Sequence, residues 1–117
     1  MSWGAAFGPV PVAVEPRLRL AILVVGGFED EEPHPAVDPV NFVPRVTVPV
    51  LMIDGEHDME YPVEASQRPM FALLGTPAQD RKHALYAGGH GLNALFSREI
   101  RGDVLAWLDR YFGPVGN

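Results

Sequence analysis

Three short segments rich in apolar residues, each followed by glycine or polar residues, dominate the pattern of hydrophobic and polar positions. They span residues 20–25, 46–53 and 82–86. The first, a short apolar run without alternation, is typical of a strand covered on both faces, as in parallel sheets. A buried helix segment is the alternative, but six residues bounded by proline and glycine favour a strand. Because Pro49 interrupts ladder pairing, the second strand is predicted to be well paired only from Val50 onward.

Helical signals lie before, between and after these segments. Residues 3–14 are predicted to form a short or kinked helix, because Pro9 and Pro11 each lack a backbone donor. Residues 70–74 form a helical patch, and Pro69 is acceptable in its first turn. With the strands, this order predicts an α/β architecture with right-handed crossovers.

The final helix has the clearest signal. Ser97 can cap its start, and Gly113 can end it. Between them, apolar residues recur at spacings of three and four, which predicts one core-facing side. The predicted core set is Ile100, Val104, Leu105, Trp107, Leu108, Tyr111 and Phe112.

Residues 28–45 form a long polar connection that begins with the acidic run Glu29-Asp30-Glu31-Glu32. The simplest interpretation is a solvated surface loop in which His34 is exposed. Two alternatives stay open, namely a loop that helps to wall a substrate pocket and a contact surface for a binding partner.

Composition restricts the class of protein. The 117 residues fit one domain, and 47% of them are hydrophobic, as in globular proteins. A net charge of −6 argues against nucleic acid or an anionic membrane as partner. With no apolar run of about 20 residues and no signal-peptide pattern, a soluble cytoplasmic protein is expected. The lack of cysteine and of close histidine pairs argues against a metal site.

Candidate chemistry lies at three separated positions. Ser2 begins Ser2-Trp3-Gly4, which matches the second half of the G-x-S-x-G turn that presents a nucleophilic serine. Asp58 follows the second strand, and His90 follows the third on a glycine-rich loop. Because ligands gather at the carboxyl ends of parallel strands, Asp58 and His90 are expected near one edge of the sheet.

Other residues compete for these roles. The carboxylates of Asp54, Glu56 and Glu60 lie close to Asp58 in the sequence and are alternatives for the acid. His83 lies within the third strand and is expected to be structural.

Residues 48–58 and 62–67, then Gly88-Gly89-His90 and residues 107–111, together resemble the carboxyl-terminal part of an α/β-hydrolase of the esterase and dienelactone-hydrolase-like branch. The resemblance implies one partial domain over residues 1–117, with about three parallel strands, flanking helices and the N-terminal strands missing. It also implies that Ser2 is the nucleophile, Asp58 the acid and His90 the base of a serine hydrolase. The expected substrate is a small-molecule carboxylic ester, and no cofactor is expected.

The sequence departs from this pattern at its start. The first glycine of the serine turn would precede Met1, and the upstream loop that supplies one oxyanion donor is lacking. The backbone N–H of Trp3 is the remaining donor. We therefore expect a truncated, weakly active or inactive chain whose first strand has an open edge that favours self-association. The alternatives are a catalytically silent hydrolase-like fragment or interaction module, and an unrelated binding protein.

Overall fold

A small parallel sheet organises the computed structural model, which describes residues 1–92 and 97–116. In this described part the strands are β1 (Ala21–Val24), β2 (Val50–Gly55) and β3 (Arg81–Tyr86), in the order β1-β2-β3. Both pairings are parallel, and Val50 is in register with Ala21 on one side and with Arg81 on the other. The predicted α/β arrangement of three parallel strands with flanking helices is confirmed.

The central strand β2 is buried along its whole length. Its side chains alternate between two apolar clusters, as the period of two in a strand requires. Val50 and Met52 belong to one cluster, and Leu51 and Ile53 belong to the other. The uninterrupted apolar run in the sequence therefore reflects a strand that is covered on both faces, and pairing begins at Val50 as predicted.

The helices agree with the predicted positions but are more finely divided. They are α1 (Trp3–Ala6), α2 (Pro9–Val14), α3 (Arg68–Leu73) and α4 (Arg98–Phe112). The predicted kink in the first helical segment is a break at Phe7 and Gly8, with Pro9 in the first turn of α2. A π-helical turn at Val63–Gln67 precedes α3, and 3₁₀ turns lie at Pro39–Asn41, Val43–Arg45 and Ala78–Asp80. Such single turns leave no periodic pattern in the sequence, so they were not predicted.

The last helix begins and ends as the sequence predicts. The Ser97 hydroxyl accepts a hydrogen bond from the Ile100 backbone N–H, and Gly113 follows the last residue. Ile100 and Trp107 are buried, but Leu105 and Phe112 are 58% and 54% exposed. The prediction that the whole apolar set is core was wrong for Leu105 and Phe112, because each follows a core-facing position by one residue and is turned about 100° toward solvent.

Strand β1 lies at one edge of the described sheet. Its Val24 carbonyl accepts a hydrogen bond from the Ser2 backbone N–H at 2.9 Å, so the start of the chain is attached to this strand. Self-association through the same edge stays a prediction. In the described ranges, no helix combines the length and the apolar character needed to cross a bilayer.

Close packing of α1 on the end of β1 depends on Gly26. A Cβ atom at Gly26 would lie 2.6 Å from the Ala5 Cβ, which is closer than real side chains approach. The preceding residue, Val25, has a positive φ of 47°, which is rare for a β-branched residue. The chain therefore turns sharply after β1 and brings its backbone against the helix that follows Ser2.

Replacing Gly26 with alanine is expected to lower the free energy of unfolding by about 1–3 kcal/mol, since the added methyl group overpacks against Ala5. Urea unfolding followed by circular dichroism measures this change. Gly102→Ala is the matched control, because Gly102 lies exposed within α4 with open space around its Cβ position. This control should stabilise the protein by up to about 1 kcal/mol. Equal stability of the Gly26→Ala variant and the original protein would contradict the packing argument.

Candidate active site

Ser2 lies on a sharp turn between the edge of β1 and the start of α1. Its backbone has φ 53° and ψ −130°, a combination that residues other than glycine rarely adopt. The turn is held by the hydrogen bond from Ser2 N–H to Val24 and by the Ser2 carbonyl, which accepts from the N–H groups of Ala5 and Ala6. Such backbone strain costs about 1–3 kcal/mol and is concentrated at functional sites.

Asp58 lies on the loop that follows β2 and is almost fully buried. Its Oδ1 accepts hydrogen bonds from the backbone N–H groups of Glu60 and Tyr61, at 2.9 and 3.0 Å. Its Oδ2 is 3.0 Å from His90 Nδ1. Because these contacts use both oxygens, the carboxylate is fixed in one orientation toward the histidine.

His90 connects Asp58 to Ser2. Its Nε2 is 2.8 Å from the Ser2 hydroxyl oxygen, while its Nδ1 faces Asp58. The loop that carries it lies against the loop after β2, where the His57 N–H donates to the Gly88 carbonyl. The structure thus brings Ser2, Asp58 and His90 into one hydrogen-bonded line. That line can move a proton from the serine hydroxyl to the imidazole and stabilise the resulting positive charge.

The three alternatives for the acid lie in different places. Asp54 contacts His83 rather than His90. Glu56 is exposed. Glu60 reaches the histidine, but on the serine side: its Oε2 is 3.1 Å from His90 Nε2. The sequence did not indicate this contact, because Glu60 lies in an irregular loop whose course no local pattern specifies.

Tyr61 was also missed by the sequence reasoning. Its ring lies 5.6 Å from the His90 ring, measured between centroids, and its hydroxyl donates to Glu29 Oε1 at 2.6 Å. Burial, with the neighbouring Glu29 carboxylate, raises the pKa of the Tyr61 hydroxyl. A second link joins the same segments, since the Ser66 hydroxyl donates to the Phe28 carbonyl. The beginning of the acidic loop is therefore attached to the loop that carries Asp58.

Behind this line lies a second, buried pair of an aspartate and a histidine. Asp54 Oδ2 is 2.9 Å from His83 Nε2, and Asp54 Oδ1 accepts a hydrogen bond from the Gly26 N–H at 3.0 Å. Burial raises the pKa of the Asp54 carboxyl, while His83 and the Gly26 N–H oppose the shift and Asp58 adds to it. The side chain of His83 is largely buried, in keeping with the structural role expected for it.

Trp3 is the first residue of α1 and directly follows the serine. Its backbone N–H belongs to the first turn, where N–H groups have no partner within the helix. In residues 1–92 and 97–116, no group of three or more His, Asp or Glu side chains is arranged to hold a metal ion. His34 is exposed, as the sequence predicts.

Solved structures with this arrangement of strands and helices include several enzymes. A cold-adapted esterase from an Arctic intertidal metagenomic library aligns with a TM-score of 0.69 and 21% identity over 92% of the chain. A Klebsiella pneumoniae protein assigned as a dienelactone hydrolase aligns with a TM-score of 0.70 and 22% identity over 95% of the chain. The acylaminoacyl peptidase of Pyrococcus horikoshii aligns over the full chain with a TM-score of 0.73 and 15% identity.

The chain spans only part of these structures. It covers 43% of the esterase, 50% of the Klebsiella protein and 24% of the peptidase. The chain matches no protein-family model and no curated protein. At the low identities found, the similarity establishes the fold.

The Asp54 pair gives a pH-dependent prediction for stability. Because the folded-state pKa of Asp54 is raised, its contribution to stability is fully present below the ordinary aspartate pKa of 3.8 and is lost as pH rises through the raised value. Asp54→Asn removes this charge and keeps an oxygen acceptor for the Gly26 N–H. The stability of Asp54→Asn relative to the original protein should therefore increase with pH by on the order of 1 kcal/mol.

Urea unfolding at a series of pH values from about 4 to 8 measures this difference. Asp38→Asn is the control, because Asp38 is a partly exposed aspartate that also accepts a backbone hydrogen bond, from the Val40 N–H. If the difference in the free energy of unfolding between Asp54→Asn and the original protein did not change with pH, burial would not disfavour the Asp54 charge.

Proposed function

Since the chain has part of the α/β-hydrolase fold, we propose that it is a serine hydrolase that acts on carboxylic esters. The observation that carries the proposal is the line of contacts from Ser2 Oγ to His90 Nε2 and from His90 Nδ1 to Asp58. Ser2 is the nucleophile, His90 the general base and Asp58 the acid that orients the imidazole. A cytoplasmic location stays a prediction from the sequence.

Each step of the reaction uses an atom of this line. The Ser2 oxygen attacks the ester carbonyl while His90 Nε2 takes the hydroxyl proton, and Asp58 stabilises the imidazolium through Nδ1. His90 then gives the proton to the leaving alcohol as the carbon–oxygen bond breaks, which leaves an acyl group on Ser2. Water, activated by His90, releases the acid and restores the serine.

The negative charge on the carbonyl oxygen needs hydrogen-bond donors. The backbone N–H of Trp3 is the donor we propose, because it directly follows the nucleophile and starts α1. Removing one oxyanion donor typically lowers the rate about 100- to 1000-fold. Blocking the Trp3 N–H is therefore expected to slow turnover, although the serine should still be reactive.

The second candidate is a catalytically silent hydrolase-like fragment or interaction module. It would keep the fold and the three side chains without an activated serine. The structural similarity to an esterase and to a protein assigned as a dienelactone hydrolase favours this alternative over an unrelated binding protein. The two proposals differ in the reactivity of Ser2, which can be measured without knowing the substrate.

Covalent labelling by a fluorophosphonate probe tests the proposal. We expect the probe to label the chain, Ser2→Ala to abolish labelling, and His90→Ala to lower its rate by roughly 1000-fold or more, because the serine then has no base. Asp58→Asn should lower the rate by up to about 10,000-fold, since it disturbs the orientation and charge of the imidazole. Gel fluorescence over time and intact mass spectrometry measure the labelling.

His34→Ala is the matched control for the histidine, because His34 is exposed on the acidic loop. It should label at the original rate. Absence of labelling in a chain that circular dichroism shows to be folded would contradict the hydrolase proposal and favour the silent module.

A further inference from the structure

Glu60 places a negative charge beside the nitrogen that transfers the proton. Its Oε2 is 3.1 Å from His90 Nε2, and the Ser2 oxygen is 2.8 Å from the same nitrogen. From this contact we infer that Glu60 selects esters and thioesters whose leaving group carries a positive charge. The inference rests on the proposed hydrolase function and names the substrate class of that site.

The contact between Glu60 and His90 is a hydrogen bond only when Nε2 of His90 carries a proton. A carboxylate accepts a hydrogen bond from Nε2 when that nitrogen carries a proton. In the proposed reaction, Nε2 carries a proton after taking it from Ser2 and keeps it until the leaving atom takes it. Glu60 is therefore next to Nε2 at the stage when the leaving group approaches the same proton.

Distance limits place the leaving group near the carboxylate. The leaving atom must come within about 3 Å of Nε2 to receive its proton. Because Glu60 Oε2 is 3.1 Å from Nε2, the leaving atom and Glu60 Oε2 are then at most about 6 Å apart. A cationic group carried two carbons beyond the leaving atom lies in the same region and is attracted to Glu60. A leaving group with a negative charge is repelled.

The surrounding charges have the same sign. Asp58 contacts the other nitrogen of His90, and Glu29 accepts a hydrogen bond from Tyr61, whose ring packs on the histidine. Arg68, the nearest arginine in the sequence, forms an ion pair with Glu64 at 2.8 Å. The neighbouring Asp58 and Glu29 carboxylates thus have the same sign as Glu60, so they do not oppose its attraction for a cationic leaving group.

The effect should be moderate because the Glu60 side chain is 65% exposed. Water screens such a charge. Attraction between single charges about 6 Å apart near a protein surface corresponds to a preference of roughly threefold to tenfold in kcat/KM for the cationic leaving group. Added salt should reduce it, since the Debye length falls to about 3 Å at 1 M salt.

A matched pair of substrates isolates the charge of the leaving group. Acetylthiocholine and its uncharged carbon isostere, neohexyl thioacetate, differ in the presence of a quaternary nitrogen in place of a carbon. Both release a thiol that a thiol-reactive dye detects. The chain contains no cysteine, so the protein itself gives no background. The readout is the ratio of kcat/KM for the charged substrate to kcat/KM for the neutral one.

We expect this ratio to exceed one for the original chain and to fall threefold to tenfold in Glu60→Gln. The ratio of the original chain should also fall in 0.5 M sodium chloride, about the level that screens exposed charges. Glu56→Gln is the control, because it removes an equal charge from an exposed position on the same loop and should leave the ratio unchanged.

The outcomes separate the two proposals. Hydrolysis of both substrates with an equal ratio in Glu60→Gln and the original chain would overturn the selectivity inference alone. An equal fall in Glu56→Gln would also overturn it, because general surface charge would then account for the preference. Absence of thiol release from either substrate, together with absence of fluorophosphonate labelling, would overturn the hydrolase function and the inference that rests on it.

Discussion

The buried Asp54 carboxylate connects all three strands. It extends from β2, accepts the N–H of Gly26 just after β1, and contacts His83 on β3. Gly26 in turn packs closely against Ala5 of α1. The position of the serine turn relative to the loops that carry the aspartate and histidine therefore depends on a charge that burial alone would disfavour. Its hydrogen bonds to Gly26 and His83 offset part of that penalty, but burial remains the larger effect and the pKa of Asp54 is raised.

Much of the fold could be predicted because the relevant signals are local. The apolar runs that become β1 and β2, the cap at Ser97 and the stop at Gly113 each lie within a few consecutive residues. The 3₁₀ and π turns could not be predicted, because single turns have no period to detect. The exposure of Leu105 and Phe112 was missed because it depends on the angle at which α4 packs, which its own sequence does not determine.

The residues of the candidate site also fall into those that local sequence could predict and those that it could not. Ser2, Asp58 and His90 could be proposed from their order and from their positions beside strand ends, and the structure places them within hydrogen-bond distance. Glu60 could be named only as an alternative acid and Tyr61 could not be given a role, because their contacts depend on the course of irregular loops. Asp54 could be named only as an alternative acid, since its pairing with His83 depends on the register between β2 and β3.

Among the described residues, hydrogen bonds attach the acidic loop to the site at its beginning, through Phe28 and Glu29. Beyond these residues, positions 30–32 and 34–37 are exposed. Lengthening a flexible loop is entropically cheap, at about 0.6 kcal/mol for each doubling. Insertions after Asp30 can therefore change the exposed surface of this loop while leaving the hydrogen-bonded side chains in place. The same scaffold can therefore change at this loop without moving Ser2, Asp58 or His90.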